Sequence, residues 1–179
     1  KKLKTTITTS HIPVLILSAK KSQENEILGL KNGADDYIRK PFDIELLELK
    51  LKNIIQKRQL LRKGFKREIN LETKEFTVTS SDERFLKQVI KIIDKHMSNT
   101  EFSVEMLVNE IGQSRSNLYI KLKEITGLSS SEFIRSIRLK RAMQLFDTTN
   151  LPVKEVMYKT GFSTASYFSK CFKKLKNSA

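Results

Sequence analysis

The sequence predicts a mostly α fold: an all-helical bundle with two helix-turn-helix units, preceded by a partial doubly wound α/β fragment. Three observations predict it. A short unbroken apolar run and a second strand-like stretch alternate with helical stretches in the first 61 residues. Apolar residues then recur at helical spacing from residue 82 onward. Within that second region a short-helix, turn, helix pattern occurs twice.

In the front part, Ile12 to Leu17 is apolar without alternation, as expected of a strand covered on both faces. Ser22 to Asn32 reads as a helix ending at Asn32-Gly33. Asp36 to Arg39 reads as a second strand, followed by Pro41. Ile44 to Leu61 reads as an amphipathic helix with apolar residues at 44, 46, 47, 51, 54 and 55. The order β-α-β-α belongs to an open α/β sheet, in which two strands cannot cover two faces. This part is therefore expected to be the back half of a domain, and either to pair with another copy or to be poorly ordered. Asp35 and Asp36 are expected to cap or solvate the turn after Gly33.

The stretch QKRQLLRKGFKREINLETKEFTVTSS, residues 56 to 81, is basic in its first half, and Gly64 interrupts its helical pattern. Glu75 to Thr79 is expected to be extended. The expected division is residues 1–63, a linker at 64–81, and a helical domain at 82–179. In that domain Ser81 or Asp82 is expected to cap a helix through about His96, with Phe85, Leu86, Val89, Ile92 and Ile93 inward. Ser103 caps a short helix that Gly112 ends. Ser114 caps the next, with Leu118, Leu122 and Ile125 as its stripe and Gly127 as its end. Ser130 or Ser131 opens a central helix through Phe146, with Phe133, Ile134, Ile137, Leu139, Ala142, Met143 and Leu145 inward. Pro152 then starts a short helix that Gly161 ends, and Thr164 caps a last helix with Phe168 and Phe172 inward. The two units align at an offset of 49 before the turn, as in Ser103 and Pro152 or Gly112 and Gly161. The offset is 50 after it, as in Ser114 and Thr164 or Leu118 and Phe168.

Composition narrows the function. Net charge is +14, from 34 Lys and Arg against 20 Asp and Glu. From residue 115 to the end there are 13 basic and 4 acidic residues. A surplus of this kind favours a polyanionic partner over a merely solvated surface. Cys171 has no second cysteine to pair with, and with His11 and His96 it makes a poor metal set. No nucleophile-base pair is evident, so no enzyme is expected. No apolar run approaches a membrane span, and the cytoplasm is the expected compartment.

Each unit spends one stripe of its second helix on the core, which leaves the opposite face for a major groove. That face carries Arg115, Ser116, Tyr119, Ile120 and Lys123 in the first unit. In the second it carries Ala165, Ser166, Ser169, Lys170 and Lys173. Arg115, Lys123, Lys170 and Lys173 are the expected phosphate-attracting cations. The competing reading is a protein-interaction module in a signalling protein, without specific DNA binding, for which Tyr119 and Ile120 are the suited surface residues.

Two stretches carry family resemblances. IPVLILSAK and GADDYIRKPF resemble the second half of a response-regulator receiver domain. The resemblance implies that Ser18 is a remnant of the switch hydroxyl, Tyr37 of the switch aromatic and Lys40 of the phosphoryl-contacting lysine. The family's phosphoacceptor aspartate and acidic pair lie on strands not present here. No cofactor is therefore expected in this fragment, and magnesium only with the missing half.

Residues 82 to about 175, through SRSNLYIKLKEITG, EFIRSIRLKRAMQLF and VKEVMYKTGFSTASYFSKCFKK, resemble the AraC/XylS DNA-binding domain. That resemblance assigns base reading to Ser116, Tyr119, Ile120, Ala165, Ser166, Ser169 and Lys170. Val108 and Met157 depart from it, standing where that family often has alanine. Together the two resemblances imply the output part of a two-component phosphorelay. Its expected partners are double-stranded DNA, read as a bipartite site or direct repeats, and a sensor histidine kinase module in the parent system. A homo-oligomer through the receiver fragment is a further expectation. The parent is either a free response regulator or a membrane-tethered hybrid sensor with this part in the cytoplasm.

Overall fold

The computed structural model describes residues 2–6, 9–19, 23–67 and 80–176. Among these, the front part comprises α1 (Lys2–Thr5), β1 (Leu15–Ser18), α2 (Gln23–Lys31), β2 (Asp36–Arg39) and α3 (Ile44–Arg67). The rest is helical: α4 (Ser80–Lys95), α5 (Val104–Ile111), α6 (Arg115–Thr126), α7 (Ser130–Thr148), α8 (Val153–Lys159) and α9 (Ala165–Lys176). This is the expected architecture of a mostly helical part behind a small α/β fragment.

β1 and β2 pair in parallel, with Leu15 opposite Asp36 and Ser18 opposite Arg39, and α2 forms the crossover. Gly29 lets α2 approach β1 closely, since a Cβ there would lie 2.9 Å from Ile16 Cδ1. β1 starts at Leu15 and not at Ile12. Pro13 has no N–H to give a ladder, and Ile12 is exposed. α3 also departs from expectation: Ile44, Leu46, Leu51 and Ile55 of its apolar stripe are exposed, and the helix runs through Gly64 to Arg67. One glycine costs a helix only about 1 kcal/mol, too little to end one this long. Glu75 to Thr79 lies outside the described residues.

Asp35 and Asp36 do not simply solvate their turn. Asp35 is paired with Lys4 at 2.6 Å and Arg58 at 3.4 Å, and accepts the Val14 N–H at 2.8 Å. Burial alone would raise its pKa, but the Lys4 and Val14 hydrogen bonds and the Lys4 and Arg58 charges hold it below the ordinary value. Asp36 pairs with Lys50 at 2.6 Å.

The helical part is built around two cores that share α7. The first gathers Phe85, Leu86, Val89 and Ile93 of α4, Leu107 and Ile111 of α5, Leu118, Leu122 and Ile125 of α6, and Phe133, Ile134 and Ile137 of α7. The second gathers Leu139 and Ala142 of α7 with Val156, Met157, Phe162, Phe168 and Cys171. Each fully buried aliphatic or aromatic side chain stabilises by about 1.5–3 kcal/mol, so each unit brings its own driving force to a common helix. Val108 packs at the edge of the first core and Met157 lies inside the second, which absorbs their size. Met143, expected inward, is 38% exposed.

The N-cap of α7 is Ser129, not Ser130 or Ser131. Glu132, three residues on, closes a capping box with it. Asp82 is no cap either. It is buried inside the first turns of α4, accepts from Ser10 Oγ at 2.7 Å and pairs with Lys121 of α6 at 3.4 Å. Lys121 Nζ also donates to Ser10 Oγ at 2.7 Å. These buried groups, with α3 lying against α6, join the α/β fragment to the first helix-turn-helix unit.

Candidate nucleic-acid interface

Local chemistry shapes each unit. Ser103 Oγ accepts the Met106 N–H to start α5. Gly112, at φ 67°, ends it by donating its N–H to the Val108 carbonyl at 3.1 Å. Ser114 Oγ then accepts the Asn117 N–H at 3.2 Å to start α6. The caps fix where the chain turns, and Leu118, Leu122 and Ile125 fix which face of α6 is buried.

The second unit repeats this with one more residue between the starts of its two helices. α8 begins 49 residues after α5, and α9 lies 50 after α6 at both ends. Pro152 is the N-cap of α8, and Thr160 the C-cap. Gly161 follows at φ 75°, where an added Cβ would meet the Met97 carbonyl oxygen at 2.5 Å and the Arg138 guanidinium carbon at 2.7 Å. Glycine is needed there both for its backbone conformation and for space. Phe168 and Cys171 of α9 are buried, Phe172 is half-buried, and Phe162, Phe168 and Phe172 pack as neighbouring rings.

Arg138 of α7 ties the second unit to the segment that leads into the first. It donates to the Gly161 carbonyl at 3.0 Å and the Asn99 carbonyl at 2.6 Å, tying the loop after α4 to the turn before α9. Burial lowers its pKa from the ordinary arginine value. Sequence reading placed no role on Arg138, because its contacts join segments 23 and 39 residues away.

Every residue expected to face DNA is exposed. In α6 these are Arg115, Ser116, Tyr119, Ile120 and Lys123; in α9 they are Ala165, Ser166, Ser169, Lys170 and Lys173. Tyr119 and Ile120 are each about half exposed, at 47% and 48%. Arg115 reaches back to Glu105 Oε1 at 2.5 Å. On the flank of α9, Tyr167 lies under the Arg135 guanidinium at 5.6 Å and beside Phe162. Neither Tyr167 nor Arg135 was expected at the surface between units, since only the packing of α7 against the second unit brings them together.

In the α/β fragment, Tyr37 is buried on β2, Ser18 ends β1 half-buried, and Lys40 is exposed just past β2. The Lys40 N–H donates to the Ser18 carbonyl at 2.8 Å, which brings the two together at the C-terminal end of the parallel pair. Among the described residues no group of three His, Cys, Asp or Glu side chains is placed to hold a metal. The carboxylates of Asp35 and Asp36 are already engaged by lysine and arginine. The residues present therefore do not fit a magnesium site by themselves. No helix among the described residues is long and apolar enough to cross a membrane.

Residues 107–179 match the family described as "Helix-turn-helix domain". Across 98% of its length the chain is 41% identical to "Histidine kinase P4" of Formosa agariphila, of which it spans 13%. It is 35% identical over 98 residues to the "Msm operon regulatory protein" of Streptococcus mutans, spanning 34% of that protein. Two solved structures resemble 51% of the chain. One is the C-terminal domain of the two-component response regulator yesN from Fusobacterium nucleatum (25% identity, 94% of that chain, TM-score 0.46). The other is the C-terminal domain of AraT, a response regulator from Geobacillus stearothermophilus (28% identity, 76% of that chain, TM-score 0.47).

These comparisons overturn the AraC/XylS assignment. The names the relatives bring are a histidine kinase and transcriptional regulators, and none is that family's. The physical reason lies in what carried the resemblance. Its caps, turn glycines and apolar stripes are what any helix-turn-helix bundle needs to fold, so they specify the architecture and not a family. What stands is an all-helical part, matched by a helix-turn-helix family over residues 107–179, behind a small α/β fragment.

Proposed function

We propose that the chain is a sequence-specific, double-stranded-DNA-binding transcription regulator, the output part of a two-component phosphorelay. Its role is binding, not catalysis. One observation carries the reading: two equivalent helices, α6 and α9, are each held by one buried stripe and each expose an acid-free outer face of hydroxyl, amphipathic and cationic side chains. Each helix enters a major-groove segment. Ser116, Tyr119, Ile120, Ala165, Ser166, Ser169 and Lys170 contact base edges. Arg115, Lys123 and Lys173 attract phosphates. The surplus of basic residues beyond residue 115 supports the same partner.

The regulatory input comes through the front fragment, where Ser18, Tyr37 and Lys40 are switch remnants at the strand ends. Magnesium and the phosphoacceptor belong to further receiver strands. The extensive match to a segment of a histidine kinase supports a sensor kinase module as partner, in the same polypeptide or a separate one. The functional division is residues 1–63, a linker at 64–81, and the DNA-binding part at 82–179.

The test is selection of bound duplexes from a random pool by the full chain, followed by titration at several salt concentrations. The expected result is one enriched bipartite motif, bound at least about 10³-fold more tightly than random duplex, with affinity falling steeply as salt rises. An unenriched pool would remove sequence-specific reading and leave Tyr119 and Ile120 as a protein-docking surface.

A further inference from the structure

Between the two helix-turn-helix units lies a cavity of about 260 Å³, walled by the N-terminal ends of α5, α7 and α9 and by the turn at Gly161. Arg135, Arg138, Thr100, Ser103, Ser131, Ser163 and Tyr167 supply its polar side chains, and no carboxylate among the described residues lines it. Arg138 is only 8% exposed and has no ion pair among the described residues; its two hydrogen bonds go to neutral carbonyls. Its Nε, also buried, has no partner there. A guanidinium taken out of water without a counter-charge is costly, and an anion in the adjoining cavity relieves that cost. Arg135, held over the Tyr167 ring, brings a second positive charge to the same wall. Three acids stand next to lining residues in sequence, and each is already engaged: Glu132 by the Ser129 N–H and hydroxyl at 2.8 Å each, Glu105 by Arg115 at 2.5 Å and by the Ser103 hydroxyl, and Glu101 by the Thr100 hydroxyl at 3.5 Å. Two guanidiniums and several hydroxyls, with no carboxylate among the lining residues, suit a phosphate, whose oxygens accept from planar N–H forks and from hydroxyls alike.

We propose that this cavity is a phosphate-binding site. The phosphate comes either from the backbone of a bound duplex, where it crosses between the segments facing α6 and α9, or from a free small phosphate. The first source rests on the DNA-binding reading above; the second does not. An occupant touches both units at once, through Ser103 on one side and Ser163 on the other, and so sets the spacing between α6 and α9.

Two measurements on the full chain test the site. In the first, inorganic phosphate is titrated against chloride at equal ionic strength while backbone amide shifts are followed. The expected result is saturable shifts centred on Ser103, Ser131 and Ser163, with affinity at least about tenfold weaker in Arg135→Gln, as loss of a charge-assisted hydrogen bond implies. In the second, neutral methylphosphonates are walked one at a time along a selected duplex. One or two positions between the contacted grooves should weaken binding several-fold more than the rest, and Arg135→Gln should flatten that pattern. Saturable phosphate shifts with a flat walk assign the site to a free phosphate. A patterned walk that Arg135→Gln flattens assigns it to the duplex, with or without binding of free phosphate. Localised phosphate shifts in a chain that binds no duplex sink the DNA reading and leave the site standing. Shifts spread evenly over the basic surface, together with a walk unchanged in Arg135→Gln, overturn the proposal.

Discussion

Lys140 shows how one residue of α7 carries a stability cost that can be measured. It is 6% exposed, and burial lowers its pKa to about 7. Its unfolded value is about 10.4, so the fold favours the neutral amine. Between those two values the unfolded chain holds a proton that the folded chain has released. Folding stability therefore rises with pH from about 7 toward 10, and below about 7 the full penalty applies. Lys140→Met should remove this slope and raise stability near pH 7 by about 1–3 kcal/mol, a figure kept small because a lysine stem can carry its head toward water. Denaturant titrations of both proteins at pH 6, 7.5 and 9 check it; an unchanged slope in the variant would assign the pH dependence to other groups. Arg138 is the contrasting case two residues away on α7. It too is buried and positive, but it spends its donors on carbonyls of the loop after α4 and of the turn before α9, so its charge is retained for a structural purpose.

At the scale of elements, the parts legible in the sequence were those decided by neighbouring residues. Ser103, Gly112, Ser114, Gly127 and Pro152 stand at the helix boundaries where their chemistry placed them. Replacing Ser103 or Ser114 with alanine should cost about 1 kcal/mol each. The two losses should add to within a few tenths if the caps act independently, as thermal or chemical unfolding of the single and double variants will show. What was not legible depends on segments distant in the chain. The first turns of α4 offered Asp82 as a cap, yet its partners are Ser10 and Lys121, 72 and 39 residues away. Burial lowers the Lys121 pKa against the pull of Asp82, and the ammonium also sits 4.7 Å from the Phe85 ring centre. Asp82→Ala leaves that charge buried without its carboxylate and should cost about 3–5 kcal/mol, whereas a paired Asp82→Ala, Lys121→Met variant should recover much of the loss. Equal destabilisation in the single and double variants would show that packing, and not the ion pair, holds this junction. The α3 stripe failed for the same long-range reason: helical spacing reports that a face is apolar, but not which surface covers it.

For the molecule as a whole, the candidate site was legible because the outer face of a helix follows from its inner one. Once Leu118, Leu122 and Phe168 are committed to cores, Ser116, Lys123, Ser166 and Lys170 must lie opposite. The cavity between the units was not legible, since it exists only where α7 sets one unit against the other. That shared helix also governs how the two faces act together. Arg138 and the two cores make α7 a common strut, so α6 and α9 should read DNA at a fixed separation, near one helical turn of about 10–10.5 bp. Inserting about 5 bp between the two halves of a selected site rotates one half to the far side of the duplex. Binding of the full chain should then fall to the level of a single half-site, and inserting about 10 bp should not restore it, because a rigid strut cannot lengthen. Lys170→Ala separates base reading from simple attraction in the same assay. If the lysine reads a base, the loss should be about 1–3 kcal/mol on the intact site and smaller at one substituted base pair. It should vanish on the spaced site if that complex uses the first unit alone. A phosphate contact would instead weaken all sequences nearly alike and reduce the salt slope by about one. Undiminished affinity after the 5 bp insertion would mean that the two units do not bind as one body, and would overturn the bipartite reading.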